Sequence, residues 1–326
     1  MNIGIDVGFA YTKAVSGDRS ALFPSFVTPT VQSLFSMNHR NAMAIETGGE
    51  FFLMGEHAVS IGQGTRKETP AWVGTPEWLA LFYGALSELT KSSNFEANAV
   101  IGLPLADFEN QKRIVLEIIR GKHTFTRKDR AMQHCTVREL RTAPQAWGAV
   151  LDQLLTPSGK VQNATLARER YAIIDIGGRN VGYLAVDGLS DIPHESRSTE
   201  RGAWTVVRAV RMYLVDHYPD LARHKDHAIM NAIIKREIYD GNKRVDLAPI
   251  VEPLIDQIGQ QIIDTAGQHW GGARTFRQVF VIGGGAHIWG DLIKKVFSHA
   301  VVLPEPEMAN ARGFAKFAAC LADRSE

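Results

Sequence analysis

Two aspartates stand inside apolar runs that otherwise read as buried strands: Asp6 in GIDVGFAYTK (4–13) and Asp175 in YAIIDIGG (171–178). A lone carboxylate in such a place is costly unless it is paired, hydrogen-bonded or facing an ion. Each is followed by glycine, Gly8 in the first case and Gly177-Gly178 in the second, and a third glycine turn, Gly283-Gly284-Gly285, closes the run QVFVIGGG. Glycine at a strand end lets backbone N–H groups come close to a phosphate, and a helix starting there adds a favourable dipole. One such turn alone is a common structural feature, whereas three in one chain ask for a shared explanation. A Walker P-loop is excluded because G-x-x-x-x-G-K-[ST] is absent, and GGGAHIWG lacks the G-x-G-x-x-G spacing of a dinucleotide site.

The elements that must position these residues are legible as alternating strands and helices. TKAVSG and SALFPSFV continue the opening strand as a β-meander, with Gly17-Asp18 as a hairpin turn. TPEWLALFYGALSELT (75–90) predicts an amphipathic helix with a threonine cap and proline at its first position. NAVIGLP (98–104) predicts a buried strand, and DFENQKRIVLEIIRG a helix ending at Gly121. TFTRKDRAMQHCTVRELRTA reads as strand and turn, and PQAWGAVLDQLL (144–155) as a helix with proline in its first turn. The polar stretch TPSGKVQNATLARER reads as a hinge. After it the scheme repeats with strands YAIIDIGG and VGYLAVDG, a helix from Ala203 to His217, helices from about 226 to 267, and the strand QVFVIGGG. The weak likeness of the halves suggests two related α/β lobes. SIGQGTRKETPAWVG (60–74) reads as an exposed glycine-rich loop.

A chain of 326 residues favours two domains, and 45% apolar residues suit a globular protein. A net charge of +1 provides no footprint for gripping nucleic acid or an anionic membrane. The two cysteines, Cys135 and Cys320, form no C-x-x-C pair and read as reduced thiols. With no run near the roughly 18 apolar residues of a membrane span and no leader-like start, the expected location is the cytoplasm. HKDH (224–227) reads as a solvated stretch, and neither G-x-S-x-G nor H-E-x-x-H occurs.

Taken in order with Lys13, PQAWG and MANARGF, the three glycine turns resemble the motifs of the actin superfamily of ATPases. GIDVGFAYTK is similar to the family's first phosphate motif and RTAPQAWGAVL (141–151) to its first connecting helix. AIIDIGGRNVGYLAV matches the second phosphate motif, VFVIGGGAHIWGDLI the adenosine motif, and ANARGFAKFA (309–318) the second connecting helix. RTAPQ, the short length and the GGR look most like the ParM/StbA plasmid-segregation filaments and archaeal actin-like proteins. The resemblance implies an α/β, actin-like (ribonuclease H-like) fold with two related lobes around a nucleotide cleft. It divides the chain into a first lobe (1–155), a second lobe (156–307) and a connecting helix returning to the first (308–326).

The resemblance further implies ATP and Mg2+ as cofactors, with Asp6 and Asp175 holding the hydrated metal and Gln145 orienting the attacking water. Lys13 would neutralise phosphate charge. The remaining nucleotide contacts would come from Gly8, Tyr11, Thr12, Gly177, Gly178, Arg179, Asn180, Gly283, Gly284 and Gly285, with Lys235 and Glu237 of AIIKREIYDG beside the base. A solvated strand-end lysine, turn-capping acids and a solvated helix face remain the alternatives for Lys13, the aspartates and the 235–237 charges. Many relatives carry threonine and an acid where Asn180 and Gly182 stand here, which points to slower hydrolysis. The implied function is an ATPase that polymerises into dynamic filaments in plasmid or DNA segregation or a cytoskeletal role, its partners being its own subunits and a DNA-bound adaptor. A small-molecule kinase or a non-polymerising regulatory ATPase of the same fold is the alternative.

Overall fold

The computed structural model describes residues 1–30, 43–60 and 70–322. It forms two compact units, Met1–Arg168 with Glu307–Glu326, and Glu169–Pro306. The first unit contains β1 (Asn2–Val7), β2 (Tyr11–Ser16), β3 (Arg19–Pro24), β4 (Val27–Thr30), β5 (Ala44–Thr47), β6 (Glu50–Met54), α1 (Glu56–Ser60), α2 (Pro76–Leu89), β7 (Asn94–Leu103), α3 (Phe108–Ile119), β8 (Gly121–Arg127), β9 (Gln133–Pro144) and α4 (Trp147–Leu154). Its sheet runs β3-β2-β1-β7-β9-β8-β5-β6-β4. β1 lies inside it, antiparallel to β2 and parallel to β7, so Ile3, Ile5 and Val7 are buried. α2 starts where Thr75 Oγ1 accepts from the Trp78 N–H and Pro76 fills the first turn. It buries Trp78, Leu81, Phe82 and Leu86 in the same core. Cys135 is sealed in that core, and burial pushes its thiol up to about 12. Both cysteines are free.

The second unit contains β10 (Arg170–Ile176), β11 (Val181–Asp187), β12 (Ser190–Asp191), β13 (Arg197–Thr199), α5 (Trp204–His217), α6 (Pro219–Ala222), α7 (Asp226–Lys235), β14 (Glu237–Asp240), β15 (Lys243–Asp246), α8 (Ala248–Trp270), β16 (Gln278–Ile282), α9 (Ala286–Val296) and β17 (Ala300–Val302). Its main sheet runs β12-β11-β10-β16-β17, with β13 also on β11. The scheme of the first unit recurs: an antiparallel hairpin whose first strand is parallel to a later one. β10 pairs with β11 and β16 as β1 pairs with β2 and β7.

The last helix, α10 (Ala309–Ala322), belongs to the first unit. Glycines permit its close packing there. A Cβ on Gly4 of β1 would lie 2.1 Å from the Ala311 carbonyl oxygen, and one on Gly148 of α4 would lie 2.4 Å from Asn310 Cα. Beside this crossing Asp152 of α4 is buried between Arg312 at 3.0 Å and Lys316 at 2.9 Å.

Three sequence expectations change. The helix expected to begin at Pro144 begins at Trp147, because Pro144 completes β9 opposite Leu103. The helical region expected from about 226 to 267 is broken by the β14–β15 hairpin, which turns through Gly241 at a φ of 59°. Of the loop expected at 60–74, positions 61–69 lie outside the described residues. Pro70–Trp72 form a single 3-10 turn, with Trp72 and Val73 buried.

Candidate functional site

Each unit carries a hairpin end of like design, at β1–β2 in the first and at β10–β11 in the second. In the first, Val7 pairs with Thr12 and Asp6 with Lys13, and the turn closes with the Gly8 N–H donating to the Tyr11 carbonyl at 3.1 Å. Asp6 is 2% exposed. Its Oδ2 accepts from Lys13 Nζ at 3.0 Å and its Oδ1 from Gln145 Nε2 at 2.6 Å. The buried charge is thus met by a cation across the hairpin and an amide from another strand end. Gln145 arrives there because its own N–H donates to the Leu103 carbonyl at 2.9 Å, anchoring it beside β7 just before α4 starts. It therefore sits ahead of the connecting helix and not within it. A Cβ on Gly8 would stand 2.9 Å from Lys13 Nζ, so glycine keeps this corner open to the ammonium. Burial, then Glu56, holds the Tyr11 phenol above the usual tyrosine range. Thr12 points the other way: its hydroxyl is buried against Ser25 Oγ at 2.9 Å.

In the second hairpin Ile176 pairs with Val181 and Asp175 with Gly182, and the Gly177 N–H donates to the Asn180 carbonyl at 2.9 Å. The position across from Asp175, which holds Lys13 in the first hairpin, is here a glycine without charge. Asn180 Oδ1 is buried without a hydrogen-bond partner among the described residues. Arg179 reaches Glu200 at 2.7 Å. Behind this turn stands the start of α5, the helix expected from Ala203 to His217; that it packs on the turn was not marked by the phosphate motifs, and Gly202 just before it is the one local signal of that approach.

The third turn leaves β16, which runs parallel to β10 with Ile282 beside Asp175. Gly283 has a φ of 83°, and a Cβ there would stand 2.5 Å from the Ile176 carbonyl and 2.7 Å from Asp175 Oδ1. A Cβ on Gly285 would meet Ile176 Cγ2 at 2.2 Å. Both glycines are thus required by packing on β10. Gly284 has open space around its Cβ position and is exposed. Lys235 and Glu237, read as one charged helix, are separated by Arg236 in a left-handed conformation. Lys235 ends α7, and Glu237 begins β14 and pairs with Arg244 at 2.5 Å.

Residues 4–148 match the family model of the actin-like protein N-terminal domain, and residues 173–295 that of the archaeal MreB-like actin homologue C-terminal domain. The chain belongs to the actin-like proteins. No curated protein matches the chain. Among solved structures, the archaeal actin homologue Ta0583 superposes with a TM-score of 0.81 at 19% identity, covering 99% of this chain and 100% of that one. Ta0583 in complex with ADP gives 0.78 at 20%, with 99% and 100% coverage. A ParM from a 15-stranded filament of Clostridium botulinum gives 0.82 at 19%, with 98% and 99% coverage. At such identities the shared property is the actin-like fold.

Within this actin-like chain the first hairpin gathers Asp6, Lys13, Gly8 and Gln145, and the second unit gathers Asp175, Gly177 and the Gly283–Gly285 turn. Thr12, Lys235 and Glu237 are held in other contacts or at other surfaces. Among the described residues no three His, Cys, Asp or Glu side chains cluster to hold a metal ion, and no helix is long and apolar enough to cross a membrane.

Proposed function

We propose that this actin-like protein is a cytoplasmic ATPase that binds Mg-ATP through both phosphate hairpins and polymerises into dynamic filaments, in DNA or plasmid segregation or a cytoskeletal role. The observation that carries this reading is the buried Asp6 carboxylate, which shares its two oxygens between Lys13 and Gln145 at a glycine turn. A cation, an amide and open backbone at one strand end suit a polyphosphate more than a neutral metabolite. The ADP complex of Ta0583 and the ParM filament support nucleotide binding and self-association, respectively.

The donor set fits magnesium. On this reading each hairpin would contribute one hard carboxylate, Asp6 and Asp175, and Asp175 Oδ1 lies 2.7 Å from where a Cβ on residue 283 would stand, at the glycine turn. Magnesium keeps several waters and accepts such carboxylates through them, with phosphate oxygens completing the sphere. When bound it would neutralise charge on the phosphates. Lys13 would do the same at the first hairpin, in place of its present contact with Asp6. Gln145, whose amide is already fixed by Asp6, would hold a water by its side-chain oxygen for in-line attack. Gly182 provides no second acid opposite Asp175, consistent with slow turnover.

Gln145→Ala is therefore expected to leave Mg-ATP affinity nearly unchanged and to slow hydrolysis by about 100-fold. Single-turnover phosphate release measures it, and an unaltered rate leaves Gln145 a structural residue.

Filament growth follows from a head-to-tail contact between identical subunits that does not close into a ring. Nucleotide controls it only if it favours one conformation over another. Pelleting and negative-stain microscopy with ATP, ADP and no nucleotide test the whole reading. Filaments are expected with ATP and loss of filaments as ADP accumulates. A protein that stays monomeric in all three conditions, yet hydrolyses ATP when a small metabolite is added, is a kinase instead. A DNA-bound adaptor is the expected partner class, because the near-neutral chain has no charge excess with which to hold DNA itself.

A further inference from the structure

The start of α5 is tied to the turn between β10 and β11 through backbone alone. The Gly202 N–H donates to the Arg179 carbonyl at 2.8 Å, the Ala203 N–H to the Gly177 carbonyl at 3.0 Å, and the Trp204 N–H to the Gly178 carbonyl at 2.9 Å. The N–H groups of the N-cap Ala203 and of Trp204, the first helical residue, and that of Gly202 just before them are thus used up on three consecutive carbonyls of one turn, while those of Thr205 and Val206 donate to the Gly202 and Ala203 carbonyls at 2.9 and 3.2 Å. The helix N-terminus is therefore spent on protein and is not itself offered to an anion.

The consequence lies on the other side of the turn. In a trans peptide the C=O and the following N–H point in opposite directions, and the chain has no cis peptide bonds among its described residues. Drawing the carbonyls of Gly177, Gly178 and Arg179 toward α5 sends the N–H groups of Gly178, Arg179 and Asn180 away from it, side by side. Successive N–H groups turned to one side form a concave anion-binding nest.

Gly202 is the residue that allows this. Its φ is outside the left-handed range, so conformation does not require glycine there. Space does: a Cβ would stand 2.3 Å from the Gly178 carbonyl oxygen, and 2.6 Å from both the Arg179 carbonyl carbon and the Gly177 carbonyl oxygen. All three neighbours are backbone atoms of the turn, so even one methyl group must push the turn out of place.

We propose that Gly202 is a positioning residue which, with the N–H groups of Ala203 and Trp204, locks the peptide planes of the 177–180 turn so that its N–H groups are preset to receive the terminal phosphate of a nucleoside triphosphate. The inference rests on the Mg-ATP reading of the site and adds to it the element that presets the phosphate turn. The Arg179–Glu200 ion pair is a separate matter: Glu200 is largely exposed, and such pairs contribute little.

The test compares calorimetric titrations of the full chain and its Gly202→Ala and Glu200→Ala variants with Mg-ATP and with adenosine. Gly202→Ala is expected to weaken Mg-ATP by on the order of 10- to 100-fold, as loss of aligned backbone donors does, and to leave adenosine unchanged. Glu200→Ala is expected to change Mg-ATP by less than about 2-fold. Loss of both ligands together, or of neither, in Gly202→Ala overturns the proposal, because a general structural role does not separate the phosphates from the nucleoside. Amide exchange in the unaltered protein provides a second measure that does not depend on the variant folding. The N–H groups of residues 202–204 are expected to exchange slowly with and without Mg-ATP, and those of 178 and 180 to become more protected when it is added. Fast exchange at 202–204 in the free protein overturns the preset turn. A wild-type chain that binds no Mg-ATP at all overturns the functional reading first, and the inference with it.

Discussion

Lys13→Ala is expected to weaken Mg-ATP binding by about 10- to 100-fold while adenosine binds nearly as before. Removing a charge-assisted contact to phosphate costs about 1.5–3 kcal/mol, and about 1.4 kcal/mol is tenfold in affinity. The geometry makes this loss specific. Lys13 stands directly across from Asp6, and its ammonium is within 3.0 Å of a carboxylate that is almost fully buried. No other cation contacts Asp6 among the described residues, and Gln145 supplies an amide without charge. The same change leaves Asp6 with an uncompensated buried charge. The nucleotide-free variant is therefore expected to be less stable as well, by less than the roughly 3–5 kcal/mol of a fully buried broken pair, because Lys13 itself keeps some contact with solvent. Calorimetric titration with ATP and adenosine separates the two effects from a urea melt of the free protein. Unchanged Mg-ATP affinity would remove Lys13 from the site and return it to a structural partner of Asp6.

Gly313→Val is expected to destabilise the protein strongly, by about 3 kcal/mol or more. A Cβ on Gly313 would lie 1.8 Å from the Gly148 carbonyl oxygen and 2.6 Å from the Asp152 N. These are backbone atoms of α4 and cannot turn aside, so α10 must move away from α4 as a body. That movement also parts Asp152 from Arg312 and Lys316, and the carboxylate is buried while the two cations retain partial contact with water. Gly4, against the Ala311 carbonyl and the Ala315 N–H, would lose its contact on the other side of the same helix. Gly267→Ala is the matched control. It lies in α8 with nothing within 4 Å of its Cβ position, and alanine should stabilise the helix there by roughly 0.5–1 kcal/mol. Urea denaturation of the two variants checks both signs. A Gly313→Val protein as stable as the wild type would show that the two helices are not in backbone contact.

Local pattern alone determined the parts of the site that lie close together along the chain. The buried acid, the glycine and the lysine of the first hairpin fall within eight residues, and their alternation fixes which of them share a strand face. The cap and periodicity of α2 are likewise written in consecutive residues. The repeat of Asp175 and its glycines announced a second hairpin for the same reason. Tertiary structure decided the rest. Pro144 is a good first residue for a helix, but pairing with β7 holds it in β9 and leaves Gln145 in the turn beside Asp6. The β14–β15 hairpin overrode a helical reading of a segment whose Gly241-Asn242 pair was its local signal. Glycine was the least legible residue. Gly283 and Gly285 read as phosphate-turn glycines and in the fold also pack on Ile176, whereas Gly4, Gly148 and Gly313 lay within the quoted motifs without a role, Gly202 lay outside them, and all four are where backbones meet. A dihedral preference or a face of a helix belongs to a short window of sequence. The absence of a Cβ acquires its meaning from a second segment, which only the folded chain brings within 3 Å.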